Sequence, residues 1–460
     1  MKKNNNLFSE FDPVSAKAWK QKIQVDLKGA DYNDTLIWNS LEGIDVRPFY
    51  HRDDFETPPH PIDGIPNSWQ ICQSIFVDDA SIANRMALDA LDRGADAILF
   101  SAEGIFDHQT LFKNFDFEKC SIYFRFHFLS VDFLQSLRSF LSEKNADISF
   151  QIDILGHLSQ TGNWYKSLQK DHEILDKINT ELLSAPALYI DSTNVQNAGA
   201  NMVQQLAYML AHANEYLNHY HQKEISLKNA SCTFNVAVGS NYFFEIAKLR
   251  ALRQLYATLA HEYSADPICK IIATPTRRDK TLYDFNVNML RTTTQSMSAV
   301  LGGADVVCSM PYDHIFHKSN EFGERIARNQ LLILKAESHL DVVSNAAEGS
   351  YYIETLTEQL ARKALVLFKE IEENGGYLQQ LKAGVIQKKI KESAQKEQIL
   401  FDEGKLVLLG TNLYQNSVDR MKESLELYPF LKTNIRKTEI QPIIAKRLAE
   451  TMEKERLDHE

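Results

Sequence analysis

The chain has 460 residues, 44% of them hydrophobic and 24% charged, and carries a formal net charge of −11. This is the composition of a soluble globular protein with ample core. The acidic balance argues against a nucleic-acid surface, which needs a basic stripe to neutralise phosphates, and no apolar run approaches the roughly 20 residues that span a bilayer.

The N-terminus, MKKNNNLFSEFD, is basic for two residues and then polar. It lacks the apolar core of a secretory signal, so a cytoplasmic location is expected. Residues 1–60 read as an arm. Pro13 to Leu27 has amphipathic spacing, with Ala16, Trp19, Ile23 and Leu27 near one face. Leu36-Ile37-Trp38 and Ile44 to Tyr50 read as extended segments around a turn at Glu42-Gly43, and His51 to Pro66 as a connector.

From about Ser68 strand-like and helix-like runs alternate. The expected strands are Gln70–Phe76, Ala95–Ser101, Ser121–His127, Asp147–Ile154, Ala187–Ser192, Thr233–Gly239, Lys270–Thr274 and Asp305–Pro311. Between them lie helical patterns, among them Ala80–Arg93, Val131–Lys144, Asn201–Leu217, Tyr242–His261, Phe285–Leu301 and Phe322–Ser338. Eight strands, each followed by a helix, predict a closed (β/α)8 TIM barrel over residues 61–346. No glycine-rich dinucleotide fingerprint or P-loop is present to favour an open doubly wound sheet. Residues 347–460 read as a C-terminal helical extension: Glu354 to Asn374, Tyr377 to Glu397 after Gly375-Gly376, a short apolar segment at Lys405 to Leu413, and a helix from Ile440 onward.

The chemistry-bearing residues are sparse. Five cysteines (Cys72, Cys120, Cys232, Cys269, Cys308) lie in or beside strands and read as buried small hydrophobes. Asp313, His314 and His317 lie close together but lack the spacing of a known metal site, and no metal is expected. His219 and His221 read as solvated loop residues. Barrel sites form at the C-terminal ends of strands. Here those ends supply Ser74, Glu103, His127, Gln151, Asp153, Thr193, Asn194, Gly239 to Asn241, Arg277, Arg278, Ser309 and Met310. Gln151 and Asp153, two apart, should face one side, as buried packing or as ligand contacts. Arg277 and Arg278 could hold an anion or stay solvated. There is no paired-carboxylate logic, no Ser-His-Asp order and no strand-end lysine for a Schiff base, so the inventory names no reaction.

Several segments, in order, resemble the methylmalonyl-CoA mutase family. Phe234 to Ala257, FNVAVGSNYFFEIAKLRALRQLYA, is similar to that family's G-x-N-[FY]-F-x-E-[VI]-AKLRA-x-R-x-L-x-A. Arg291 to Gly303, RTTTQSMSAVLGG, and Glu42 to Tyr50, EGIDVRPFY, also resemble its motifs, as do Arg325 to Asn329 and Gly349 to Glu354. The resemblance implies an acyl-CoA barrel whose N-terminal arm engages a partner chain. In the family's catalytic chains it also implies a cobalamin domain with the pattern D-x-H-x-x-G, whose histidine ligates cobalt. That pattern does not occur in these residues.

Carried over residue by residue, the family's thioester-binding histidine falls on Asn194, its neighbouring tyrosine on Thr193, and the tyrosine that helps cleave the cobalt–carbon bond on Ser74. The family's glutamine is kept as Gln151, its carboxylate-clamping arginine falls on Thr161, and Gln196 with Ala198-Gly199-Ala200 is kept. Threonine cannot replace a bidentate guanidinium, and asparagine has no proton to relay. The resemblance therefore implies a small, non-catalytic chain, inactive alone, with no catalytic residue and no cofactor of its own. Adenosylcobalamin would sit in a large catalytic partner subunit, and the isolated chain would be less stable or form a homodimer. The other reading is an independent acyl-CoA- or phosphate-ester-binding barrel, with Arg277, Arg278 and the Gly239 to Asn241 loop on the anion. A chain that borrows a separately encoded cobalamin domain is a third reading, which the lost tyrosine and histidine weigh against.

Overall fold

Side-chain parity organises the barrel, as it must where one face of a sheet meets helices and the other meets itself. In the computed structural model, residues 10–144, 146–183, 185–431 and 435–460 are described. The polar run Asn4–Asn6 lies outside them. The barrel strands are β1 Gln70–Phe76, β2 Ala97–Ala102, β3 Ser121–Phe126, β4 Asp147–Gln151, β5 Ala187–Asp191, β6 Ser231–Val238, β7 Cys269–Pro275 and β8 Val306–Cys308. Ile71, Ile98, Phe124, Ile190 and Val307 face the helices in the main core. Cys72, Leu99, Tyr123, Ile272, Val306 and Cys308, of the opposite parity, fill the lumen as a separate cluster. All five cysteines are buried and unbridged, as expected.

The eight strands form one parallel sheet in the order β4-β3-β2-β1-β8-β7-β6-β5. β1 sits beside β8, which makes this the nearly closed TIM barrel that the strand count predicts. The remaining seam, between β4 and β5, is bridged by side chains. Asp153, just past β4, accepts a hydrogen bond from the Asp191 amide at 2.8 Å, and Arg125 donates to the Tyr189 hydroxyl at 3.1 Å. The lower bore is filled. Tyr123 donates to Gln70 Oε1 at 3.0 Å beneath the apolar layer, and Lys270 Nζ lies 4.8 Å from the Tyr123 ring centroid.

Outside the barrel, the first half of the arm lies on the surface: the helix Ala16–Asp26 has no buried residue, and its contacts include Trp19, stacked on Phe49 at 4.7 Å, and Ala16 N, which donates to Asp53 Oδ2 at 3.0 Å. The second half is anchored. Ile44 is fully buried, Trp38 packs on Phe244 and Tyr50 on Tyr352, and Gly43 makes the expected turn with φ +66. The helix Tyr351–Glu373 packs on Met202–Gln222 and Tyr242–Glu262. No helix among the described residues is long and apolar enough to cross a membrane.

Several expectations need correction. β4 ends at Gln151, and Asp153 instead caps the helix Ile154–Thr161 by accepting from Gly156 N at 2.7 Å. Leu36 closes a short helix, Tyr32–Leu36, rather than opening an extended run. Tyr377 to Glu397 is not one helix: Gly384, at φ +73, separates Gly376–Lys382 from Val385–Asp402. His219 and His221 belong to the last turn of Met202–Gln222, and His219 pairs with Asp176 at 2.6 Å. The largest change is at the end of the chain. Only Glu450–Asp458 is helical there. Residues 440–449 are an irregular strap laid across the barrel mouth, with Ile443 N, Lys446 N and Leu448 N bonded to the carbonyls of Ser159, Asn197 and Arg278.

Candidate functional site

The C-terminal ends of the strands surround a cavity of about 610 Å³. Its lining includes Ser74 from β1, His127 just past β3, Gln151 from β4 and Asp191 from β5, with Arg277 and Ser309 beyond β7 and β8. Strand parity places Ser74, His127, Gln151 and Asp191 inward, whereas Arg277 and Ser309 reach the cavity from the loops, and Ser74 is exposed to the cavity rather than packed. The upper barrel is thus hollow beneath the strap and the lower barrel filled.

Arg125 is the centre of the inner layer. From β3 its Nε donates to Gln151 Oε1 at 3.2 Å, its Nη2 donates to Tyr189, and Nε lies 3.9 Å from Asp191 Oδ2. Asp191 in turn accepts from Asn235 Nδ2 at 3.1 Å and from Thr193 Oγ1 at 2.6 Å. Arg125, Tyr189 and Asn235 escaped the strand-end reading because they lie inside strands. The signal was available: Arg125 is two residues before His127, so the two share a face.

The outer layer belongs to the β7 and β8 loops. Arg277 contacts the His314 ring. His317 Nδ1 faces Asp313 Oδ2 at 3.0 Å. Burial, and after it the nearby Arg125 charge, lowers the Arg277 pKa. The Arg277 charge, with burial second, pushes His314 down to about 3, so its ring is neutral. His127 is lowered by burial and then by Arg125. Burial raises Glu324, at the rim, to about 7. No group of three or more metal-ligating side chains occurs among the described residues.

The residues singled out in the sequence are only partly brought together. Ser74, Gln151, Thr193 and Asn194 all line the cavity. Asn194 donates through Nδ2 to the Ile443 carbonyl of the strap at 2.6 Å, so its amide holds chain in place. Gln196 is buried, accepting from Thr276 Oγ1 at 2.6 Å. Thr161 ends its helix with its hydroxyl bonded to the His157 carbonyl at 2.8 Å, outside the cavity lining. The arginine pair divides. Arg278 is buried against Glu397 at 2.6 Å and the Lys446 carbonyl at 2.7 Å, which leaves Arg277 alone to face the cavity.

Gly199 shows why the Ala198-Gly199-Ala200 frame is built as it is. Its φ is +99, and an added Cβ would lie 2.5 Å from Ala394 Cβ and 2.8 Å from Arg278 Nη2. Gly199→Ala is expected to cost about 1–3 kcal/mol through overpacking and backbone strain. Urea denaturation checks it, and an unchanged midpoint would show that the helix Val385–Asp402 yields freely.

A family model described as methylmalonyl-CoA mutase matches residues 99–458. A relative from Porphyromonas gingivalis named methylmalonyl-CoA mutase small subunit is 34% identical, over 93% of this chain and 74% of its own length. A protein of the same name from Streptomyces virginiae is 38% identical over 51% of this chain and 39% of its own. The methylmalonyl-CoA mutase of Cereibacter sphaeroides is 28% identical over 89% of this chain and 66% of its own length. The chain thus spans about three-quarters of the Porphyromonas gingivalis relative and about two-thirds of the Cereibacter sphaeroides one.

Proposed function

The chain belongs to the methylmalonyl-CoA mutase family, and from that premise we propose that it is the small, non-catalytic subunit of a heterodimeric, adenosylcobalamin-dependent mutase. The holoenzyme would interconvert methylmalonyl-CoA and succinyl-CoA, with the chemistry in the large subunit. The carrying observation is Asn194. At the place of the family's thioester-binding histidine, this side chain spends its amide on the strap carbonyl at 2.6 Å. Thr193, at the tyrosine position, is bonded to Asp191. Neither can shuttle a proton.

Adenosylcobalamin, when bound in the large subunit, supplies the radical that a carbon-skeleton rearrangement requires. The residues of this chain do not fit that group. The strap lies over the ends of β4, β5 and β7, where a flat macrocycle would need an open face. The role left to this chain is support. Phe11, Val14, Trp19 and Val25 of the arm are exposed apolar residues, a surface suited to an obligate partner. The name of the Porphyromonas gingivalis relative supports the same assignment.

The test is turnover of methylmalonyl-CoA by this chain with adenosylcobalamin, alone and co-purified with a large mutase subunit. The chain alone should be inactive. In the complex, Ser74→Ala should leave turnover within about twofold, because Ser74 meets no reacting atom. Turnover by the isolated chain, or an order-of-magnitude loss in the complex, contradicts the proposal.

A further inference from the structure

Three residues that line the mouth cavity each hold a buried polar atom without a partner, and their neighbours fix which atoms these are. Gln151 is 3% exposed. Its Oε1 accepts from Arg125, and a guanidinium only donates, so Nε2 is the atom left unpartnered. Asn235 is 1% exposed. It commits Nδ2 to the Asp191 carboxylate, which only accepts, so Oδ1 is left over. Ser309, 7% exposed, has an unpartnered Oγ. A polar group buried without a partner forfeits its hydration and gains nothing in return. Three around one cavity call for a ligand offering both an acceptor and a donor.

Arg277 supplies the charge. The cavity acids are hydrogen-bonded to neighbours: Asp191 to Thr193 and Asn235, Asp313 to His317 and Asn320, and Glu324 to Ser319. Arg278 is neutralised by Glu397. Arg277 contacts the neutral His314 ring instead of a carboxylate.

The shape limits the size. Leu99 and the lumen cluster close the bore below the cavity, with Tyr123 bonded to Gln70 beneath, and the strap covers one side above. A space of about 610 Å³ is within the range of small-molecule sites. It gives the long coenzyme A chain no passage down the barrel axis.

We propose that this blind cavity binds a small free hydroxycarboxylic acid. Its carboxylate pairs with Arg277. Its hydroxyl donates to Asn235 Oδ1 and accepts from Gln151 Nε2, two side chains that flank the Arg125 guanidinium through Gln151 Oε1 and Asp191. The site goes beyond the subunit role and does not rest on it, because binding is read without turnover and can hold whether or not the chain is catalytically silent.

The experiment is calorimetric titration of the full chain, alone and in complex with the large subunit, with malate, succinate, glycerol and coenzyme A. Malate should bind saturably, succinate more weakly, and glycerol not measurably; coenzyme A should not displace malate. Arg277→Leu should weaken malate binding at least about tenfold, and Arg277→Lys less. Gln151→Leu removes an uncharged contact and should weaken it several-fold, keeping the test open if Arg277→Leu does not fold. The proposal is overturned by an absence of saturable malate binding, by wild-type affinity in both leucine variants, or by displacement with coenzyme A.

Discussion

Replacing Glu354 with alanine is expected to destabilise the chain by about 3–5 kcal/mol, the range for breaking one side of a buried ion pair. Arg250, on the helix Tyr242–Glu262, is fully buried and donates through Nη2 to Glu354 Oε1 at 2.6 Å. The same oxygen accepts from Gly349 N at 2.9 Å. Glu354 also stands in the first turn of Tyr351–Glu373, where a negative charge meets the helix N-terminus favourably. Alanine would leave the guanidinium in the core with the neutral Asn345 Oδ1 but without its carboxylate, and loosen the contact between extension and barrel. Glu354→Gln should cost less, since it keeps shape and one acceptor. The double variant Arg250→Met, Glu354→Ala should recover part of the loss, because no unpaired charge remains. Urea denaturation of the single and double variants reads the coupling. A single-variant effect below about 1 kcal/mol would mean that water or another group reaches Arg250.

That pair explains two stretches whose importance was visible in the sequence while its cause was not. Arg250 lies in AKLRA and Glu354 in GSYYIE, and nothing in the chain order says that they meet. The barrel itself was legible, because eight apolar runs of alternating parity can close on themselves in few ways. The strap was not. Ile440, Ile443, Ile444 and Leu448 repeat at helical spacing, yet residues 440–449 bond their backbone to the barrel rim instead. Pro442 was the local warning against a helix. The candidate site was legible at its rim and hidden within, since strand ends drew attention to His127 and Gln151 while Arg125 and Asn235 sit among aromatic and apolar neighbours. The resemblance located Asn194 and Thr193, but only the folded chain shows that their side chains are engaged, Asn194 with the strap and Thr193 with Asp191.

Asp153 is the residue whose loss should open the barrel. Four donors converge on its carboxylate: Gly156 N at 2.7 Å, Asp191 N at 2.8 Å, the Tyr216 hydroxyl at 2.7 Å and His212 Nε2 at 2.9 Å. An amide presents one acceptor oxygen and turns an NH2 group toward the remaining donors. Asp153→Asn is therefore expected to cost about 3–5 kcal/mol although it is nearly isosteric. The pH dependence separates this account from simple misfit. Burial opposes the Asp153 charge, but the His212 interaction, the Asp191 amide and the Tyr216 hydroxyl outweigh it, and the carboxyl sits below its ordinary value. A group depressed in the folded state contributes fully above its unfolded pKa of about 3.9, and its contribution is lost as pH falls through the folded value. The stability gap between wild type and Asp153→Asn should hold from neutral pH to about 5 and then narrow as acid protonates Asp153. Denaturation midpoints measured across that range read it directly. A gap that stays constant below the ordinary carboxyl range would show that packing, rather than the carboxylate's charge, holds β4 to β5.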